Sequence, residues 1–263
     1  MRPDDLLRPT PEGLYCPPAG VFIDPLRPVA RALVTHGHSD HARPGHGAVL
    51  ATRETLAIMA LRYGADFARE TQAARPGETI RLGEVDVSFH PAGHVRGSAQ
   101  IRLVWRGFVA VVSGDYKRAA DPTCAPFEPQ RCDLFVTEAT FGLPVFRWAP
   151  ARLEAEKLIA STRIFPERAH LVGAYPLGKA QRLMAELRAA GWDRPIHIHG
   201  AMQRLTDWFA SDGVDLGEIV PAASVNASIP SAARRLESSS TRVLCSRSAS
   251  IIVWPSNSSS SCF

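Results

Sequence analysis

Short apolar runs closed by turn residues dominate the first half of the chain. Gly20-Val21-Phe22-Ile23, ending on Asp24 before Pro25, predicts a strand. Ala30-Arg31-Ala32-Leu33-Val34 predicts a buried strand, and Val49-Leu50-Ala51 a short one. Thr52 then has the chemistry of a helix N-cap. Leu56, Met59, Ala60 and Tyr63 follow on one helical face, and Gly64 stops the helix. That face reads as core, with no cofactor implied. Two hairpins are predicted next, over 79–89 with a turn at Gly83-Glu84 and over 100–112 with a turn at Arg106-Gly107. Beyond them the pattern predicts a strand at 134–137, a helix at 152–161 and a strand at 170–175. An amphipathic helix through Leu183, Met184 and Leu187 and a strand then helix over 196–209 complete it.

From about Pro221 the pattern stops. The last 43 residues hold fourteen serines, a single acidic residue (Glu237) and neither glycine nor histidine. No helical or strand periodicity lasts there beyond a few positions, so 221–263 reads as an aberrant, out-of-frame segment or a disordered tail.

Composition changes this picture little. The 263 residues are ample for a real core, and a net charge of +4 does not by itself announce a nucleic-acid partner. Only Lys117, Lys157 and Lys179 of the thirty basic residues are lysines; the guanidinium majority suits bidentate phosphate contacts, although base composition of the genome explains it as well. Cys16, Cys124, Cys132, Cys245 and Cys262 form no C-x-x-C pair and read as free thiols. No apolar run approaches the roughly 18 residues of a membrane span, and the opening residues lack a signal-peptide pattern, so a cytoplasmic location is expected.

The chemistry concentrates in Thr35-His36-Gly37-His38-Ser39-Asp40-His41. Alternate side chains of an extended segment point the same way, so His36 and His38 can reach one metal ion while Asp40 and His41 turn toward a neighbouring one. A histidine-rich surface loop is the plain alternative. The internal position, the strand before it and the Asp within it argue against that reading. Further on, the strand ending at Tyr175 opens into Leu177-Gly178-Lys179-Ala180-Gln181-Arg182, a Gly turn and a Lys at a helix start, which can form an anion cradle. His90 before Pro91 reads as satisfied or partly exposed, and His197 and His199 as structural.

The H-x-H-x-D-H run resembles the signature of the metallo-β-lactamase superfamily. Gly93-His94-Val95-Arg96-Gly97-Ser98-Ala99, Ser113-Gly114-Asp115 and Thr137-Glu138-Ala139-Thr140-Phe141-Gly142 match its later motifs in order. Glu138 with its flanks and the Leu177 to Arg182 run are similar to the β-CASP branch, near the exonucleases associated with ATP-dependent DNA ligases and the RNA 3′-end processing factors.

The resemblance implies an α/β (α+β) fold, a four-layer αββα sandwich incomplete at its C-terminus. The core would occupy 1–149, a β-CASP-like cap 150–220 and the aberrant tail 221–263. It implies two zinc ions. His94 would be the third ligand to the first, Asp115 would bridge both, and Asp24 would support the metal loop without ligating. Asp40 would orient the attacking water, Glu138 would manage the leaving oxygen's proton, and Lys179 and Arg182 would contact nucleic acid. Two further histidines of the family pattern have no counterpart after His199, so the second zinc site is expected to be impaired. The implied activity is a zinc-dependent exonuclease on DNA ends in ligase-associated repair, with a DNA ligase and a helicase as partners. An RNA 3′-end processing nuclease, a glyoxalase-type thioester hydrolase and an inactive truncated metal-binding protein are the alternatives.

Overall fold

The computed structural model describes residues 2–225 and 250–255. The chain divides into one unit ending at Phe141 and a second beginning at Gly142, eight residues before the boundary expected from the sequence.

In the first unit a short helix α1 (Pro3–Leu6) precedes a six-stranded sheet. Its strands are β1 (Arg8–Thr10), β2 (Gly13–Cys16), β3 (Val21–Ile23), β4 (Arg31–Leu33), β5 (His46–Thr52) and β6 (Ala68–Ala74), paired in chain order. The first three strands are antiparallel, and the pairings from β3 through β6 are parallel. Helix α2 (Arg53–Tyr63) makes the crossover between β5 and β6. Its ends are those the sequence predicts: the Thr52 side chain accepts the Thr55 N–H, and Gly64 closes the helix at φ 96°.

The second sheet holds β7 (Ile80–Leu82), β8 (Val85–Pro91), β9 (Ala99–Trp105), β10 (Phe108–Val112) and β11 (Leu134–Val136). Both predicted hairpins are present, and β11 joins β10 in parallel. Period-two alternation explains how the two sheets pack. Leu33 and Leu50 enter one core with Val85, Val87, Phe89, Ile101 and Leu103 of the second sheet. Their neighbours Ala32, Val34, Val49 and Ala51 face the other way, onto Met59 with Leu56 and Tyr63 of α2. Being buried on both faces is why β4 and β5 read as continuous apolar runs. Strand β6, Ala-Arg-Glu-Thr-Gln-Ala-Ala, is largely exposed at the sheet edge, so it carries no apolar signal.

The second unit contains α3 (Ala151–Ile164), β12 (Ala169–Ala174), α4 (Lys179–Ala189), β13 (Ile196–Ile198), a 3-10 turn (Gly200–Met202), α5 (Gln203–Ser211), β14 (Ile219–Pro221), α6 (Ala222–Val225) and β15 (Ser250–Pro255). The sheet order is β12-β15-β13-β14, all parallel. Residues 250–255 depart from the expectation of a structureless tail: β15 lies between β12 and β13, with Ile251 and Val253 fully buried. A short β-branched run suffices for a strand when both neighbours supply the ladder. Residues 221–225 depart from that expectation too, as the end of β14 and as α6, and the remaining tail residues, 226–249 and 256–263, lie outside the described residues. No helix among the described residues is long and apolar enough to cross a membrane.

Candidate metal centre

The metal loop starts where β4 ends. Thr35 bridges the two sheets, because its carbonyl accepts the Ala99 N–H at 2.9 Å. Beyond it the chain turns tightly, with the His41 and Ala42 N–H groups both donating to the His38 carbonyl. The loop after β8 delivers His94, where the Ser98 hydroxyl oxygen accepts the N–H groups of His94 and Val95 at 3.1 Å each. Asp115 arrives just past the end of β10. Gly114 permits this at φ 54°, where a Cβ would lie 2.5 Å from Thr35 Oγ1.

His36, His38, His94 and Asp115 thereby present four ligand atoms within 4.8 Å of one another. His36 Nε2 is 3.0 Å from His38 Nδ1, and His94 Nε2 is 3.1 Å from the same atom. Asp115 Oδ2 lies 3.4 Å from His94 Nε2 and 3.8 Å from His36 Nε2. A tetrahedral ion with ligands at about 2.0–2.1 Å needs ligand atoms roughly 3.3 Å apart, so this donor set fits a metal ion of that kind.

The tautomer of His36 supports the fit. Asp24 accepts the Thr35 N–H on Oδ1 at 2.8 Å and the Thr35 hydroxyl on Oδ2 at 2.6 Å. With its single proton committed to the carboxylate, the Thr35 hydroxyl can only accept from His36 Nδ1, 3.0 Å away. Nε2 of His36 is then the bare nitrogen, and it faces the cluster. Burial first, and then the neighbouring His41, His38 and His94, push the His36 imidazole well below its ordinary value. Burial, followed by His38, lowers His94 to about 4 against the pull of Asp115. Both rings are thus neutral near pH 7, the form that binds metal.

The other residues singled out in the sequence lie at graded distances. Asp24 accepts hydrogen bonds from Thr35 and stands against His41 of the same loop. His41 stands with Nε2 3.3 Å from Asp115 Oδ1 and Nδ1 2.7 Å from Asp24 Oδ2. The Asp40 carboxylate is 71% exposed and lies 3.8 Å from His41 Nε2. Glu138 leaves β11 beside the strand that delivers Asp115, and its carboxylate accepts the Thr140 N–H at 2.7 Å. In the second unit Gly178 takes a positive φ of 85° before α4, and its N–H donates to Gln181 Oε1. Lys179 lies over the Tyr175 ring, 4.3 Å from its centroid, whereas Arg182 turns along the helix toward Glu186 at 3.6 Å. His90 is satisfied by Ser88 and Glu128, and the His199 side chain caps the 3-10 turn. Thr35 went unassigned from the sequence, although its place between a buried strand and the first histidine was its one signal.

No family model matches the chain. A probable DNA ligase of Opitutus terrae is 30% identical over 210 residues, covering 77% of this chain and 20% of that protein. A ribonuclease of Thermus thermophilus is 35% identical over 139 residues, 43% of this chain and 32% of its own length. The endoribonuclease ysh1 of Aspergillus fumigatus is 31% identical over 137 residues, 50% of this chain and 15% of that one. The chain therefore spans no more than about a third of these relatives. The crystal structure of a protein of unknown function from Enterococcus faecalis V583 shares the fold, with a TM-score of 0.51 at 12% identity, over 87% of this chain and 59% of that one. With the His36-x-His38 loop, His94 and Asp115 gathered at one point and relatives of this kind, the chain belongs to the metallo-β-lactamase superfamily, in its β-CASP-like branch.

Proposed function

We propose that the chain carries the metal centre of a zinc-dependent phosphodiesterase that hydrolyses nucleic acid, with DNA ends as the substrate and an ATP-dependent DNA ligase and a helicase as working partners in the cytoplasm. The observation that carries the reading is the convergence of His36, His38, His94 and Asp115, with His41 set against the outer oxygen of Asp115. That shared carboxylate supports a two-zinc site, Asp115 standing between a His36, His38, His94 side and an Asp40, His41 side. Bound there, zinc would supply Lewis-acid polarisation of a phosphoryl oxygen and a coordinated water of lowered pKa. The stacked sheets with α2 outside support an αββα sandwich as the family architecture.

The chain's own residues divide the remaining work. Asp40, exposed at the rim, orients the attacking water by accepting its hydrogen bond. Glu138, just beyond the strand next to that of Asp115, handles the proton at the leaving oxygen. Lys179, at the first position of α4, contacts a nucleic-acid phosphate.

DNA is favoured by the Opitutus relative, named for DNA ligation and aligned over the longest stretch of the three described; the ribonuclease names of the other two favour RNA as the second reading. The test is to incubate the zinc-loaded protein with end-labelled DNA and RNA of one sequence, beside Asp40→Asn. Faster loss of label from DNA, abolished by the substitution, supports the proposal. Cleavage of RNA alone transfers it to the second reading, and cleavage of neither by the wild type contradicts both.

A further inference from the structure

Helix α2 touches both loops that carry the proposed metal ligands, and it does so with groups that its core-facing side does not use. At its start the hydroxyls of Thr52 and Thr55 both donate to the Gly97 carbonyl, at 2.7 and 3.1 Å. Both threonines are buried. Gly97 stands three residues beyond His94 at φ 78°, and a Cβ there would lie 2.5 Å from Glu54 Cβ and 2.9 Å from the Thr55 nitrogen. The loop of His94 is therefore in direct backbone contact with the first turn of the helix.

Farther along, Ile58 packs on Gly37, where a Cβ would meet Ile58 Cγ2 at 2.6 Å. One turn later Arg62 donates from Nη1 to the Gly37 carbonyl at 2.6 Å. Ile58 and Arg62 are four positions apart and share a face, while Leu56, Met59, Ala60 and Tyr63 pack on the sheet. Gly37 lies between His36 and His38, so the tilt of its carbonyl sets the direction in which His38 leaves the loop.

We propose that α2 is the strut that holds the two ligand loops at their working separation, with Thr55 and Arg62 as positioning residues for the metal. The proposal rests on the metal reading above. An α-helix is stiff over 11 residues, so one rigid body registers His94 against His38. The three imidazole nitrogens are then held within coordination distance of one another, and an arriving ion does not have to order the loops. Outer contacts of this kind typically change metal affinity by about 10–100-fold when removed.

The test is a cobalt(II) titration of the chelator-stripped full chain, followed by the ligand-field absorption of the bound ion and paired with the melting temperature of the metal-free protein. Thr55→Val keeps the side-chain shape and removes the hydroxyl; Arg62→Met keeps the stem and removes the donor; Arg62→Lys restores a donor. Leu56→Ala, on the sheet-facing side, is the control for loss of stability alone. Thr55→Val and Arg62→Met should each weaken cobalt binding by about 10–100-fold. Arg62→Lys should recover part of that loss, and Leu56→Ala should lower the melting temperature without changing affinity. Wild-type affinity in both Thr55→Val and Arg62→Met, or a loss no greater than that of an equally destabilised Leu56→Ala, overturns the proposal. A wild-type chain that gives no cobalt spectrum at all overturns the metal reading and the strut with it.

Discussion

Asp24 Oδ2 lies 2.7 Å from His41 Nδ1, while the far nitrogen of the same ring lies 3.3 Å from Asp115. Asp24 itself sits at φ 44°, a strained conformation for a residue with a side chain, and its two oxygens serve Thr35 and His41 together. Burial lowers the His41 imidazole, but hydrogen bonds to Asp115 and Asp24 outweigh it and raise the group to about 10. One carboxylate therefore sets both the tautomer of His36, through Thr35, and the orientation of His41. Asp24→Asn preserves the shape and removes the charge, leaving fewer acceptors for three donors. Metal affinity measured by calorimetry should fall by about 10–100-fold. An unchanged affinity would remove Asp24 from the supporting role.

The stability of the metal-free protein should fall as the pH is lowered. His46, on β5, is buried and accepts the Val29 N–H on Nδ1, and among the described residues its Nε2 has no hydrogen-bond partner. Burial, against a backbone hydrogen bond at Arg43, holds its imidazole below the ordinary value. The unfolded chain takes up the proton first, so the stabilisation is complete above about pH 6.5 and is lost as the pH falls through the lower folded value. Melting curves of metal-free wild type and His46→Asn from pH 8 to pH 5 test this. The slope should be shallower in the variant, and an identical slope would show that His46 is not among the groups responsible.

Much of this arrangement is legible in residue order, and the rest is not for identifiable reasons. His36, His38 and His94 could be read because the motif puts two of them on one loop and a Gly-rich turn carries the third. The ends of α2 were legible because Thr52 and Gly64 have cap chemistry. The helix's second role was not, since Thr55 and Arg62 look like ordinary polar positions until Gly97 and Gly37 are seen against them. Strand β6 escaped because its side chains are polar and its pairing comes from β5. Strand β15 escaped because six residues within a serine-rich stretch have no periodicity to detect, and their burial comes from the strands on either side. The contact of His41 with Asp24 joins residues 17 positions apart, and spacing along a sequence carries no record of it.

Lys179 and Arg182 should separate in a binding experiment. Lys179 begins α4 above the Tyr175 ring, and Arg182 is turned to Glu186 with 29% of its side chain exposed. Lys179→Ala should reduce the slope of log affinity for single-stranded DNA against log salt by about one phosphate contact. Arg182→Ala should leave that slope alone and lower the melting temperature. A slope that moves with Arg182 and stays with Lys179 would reverse the assignment.

Metal analysis of the chain tests most directly whether the histidines gathered from two loops hold a metal ion. The protein is stripped with chelator, equilibrated with excess zinc, and dialysed against metal-free buffer. Zinc per chain is then measured for wild type, His38→Ala and His94→Ala. The wild type should retain stoichiometric zinc and melt at a higher temperature with it, because the ligands tie separate strands together. Each variant should lose both the ion and the metal-dependent rise. A wild type that retains none, or variants that retain as much as the wild type, would contradict the account.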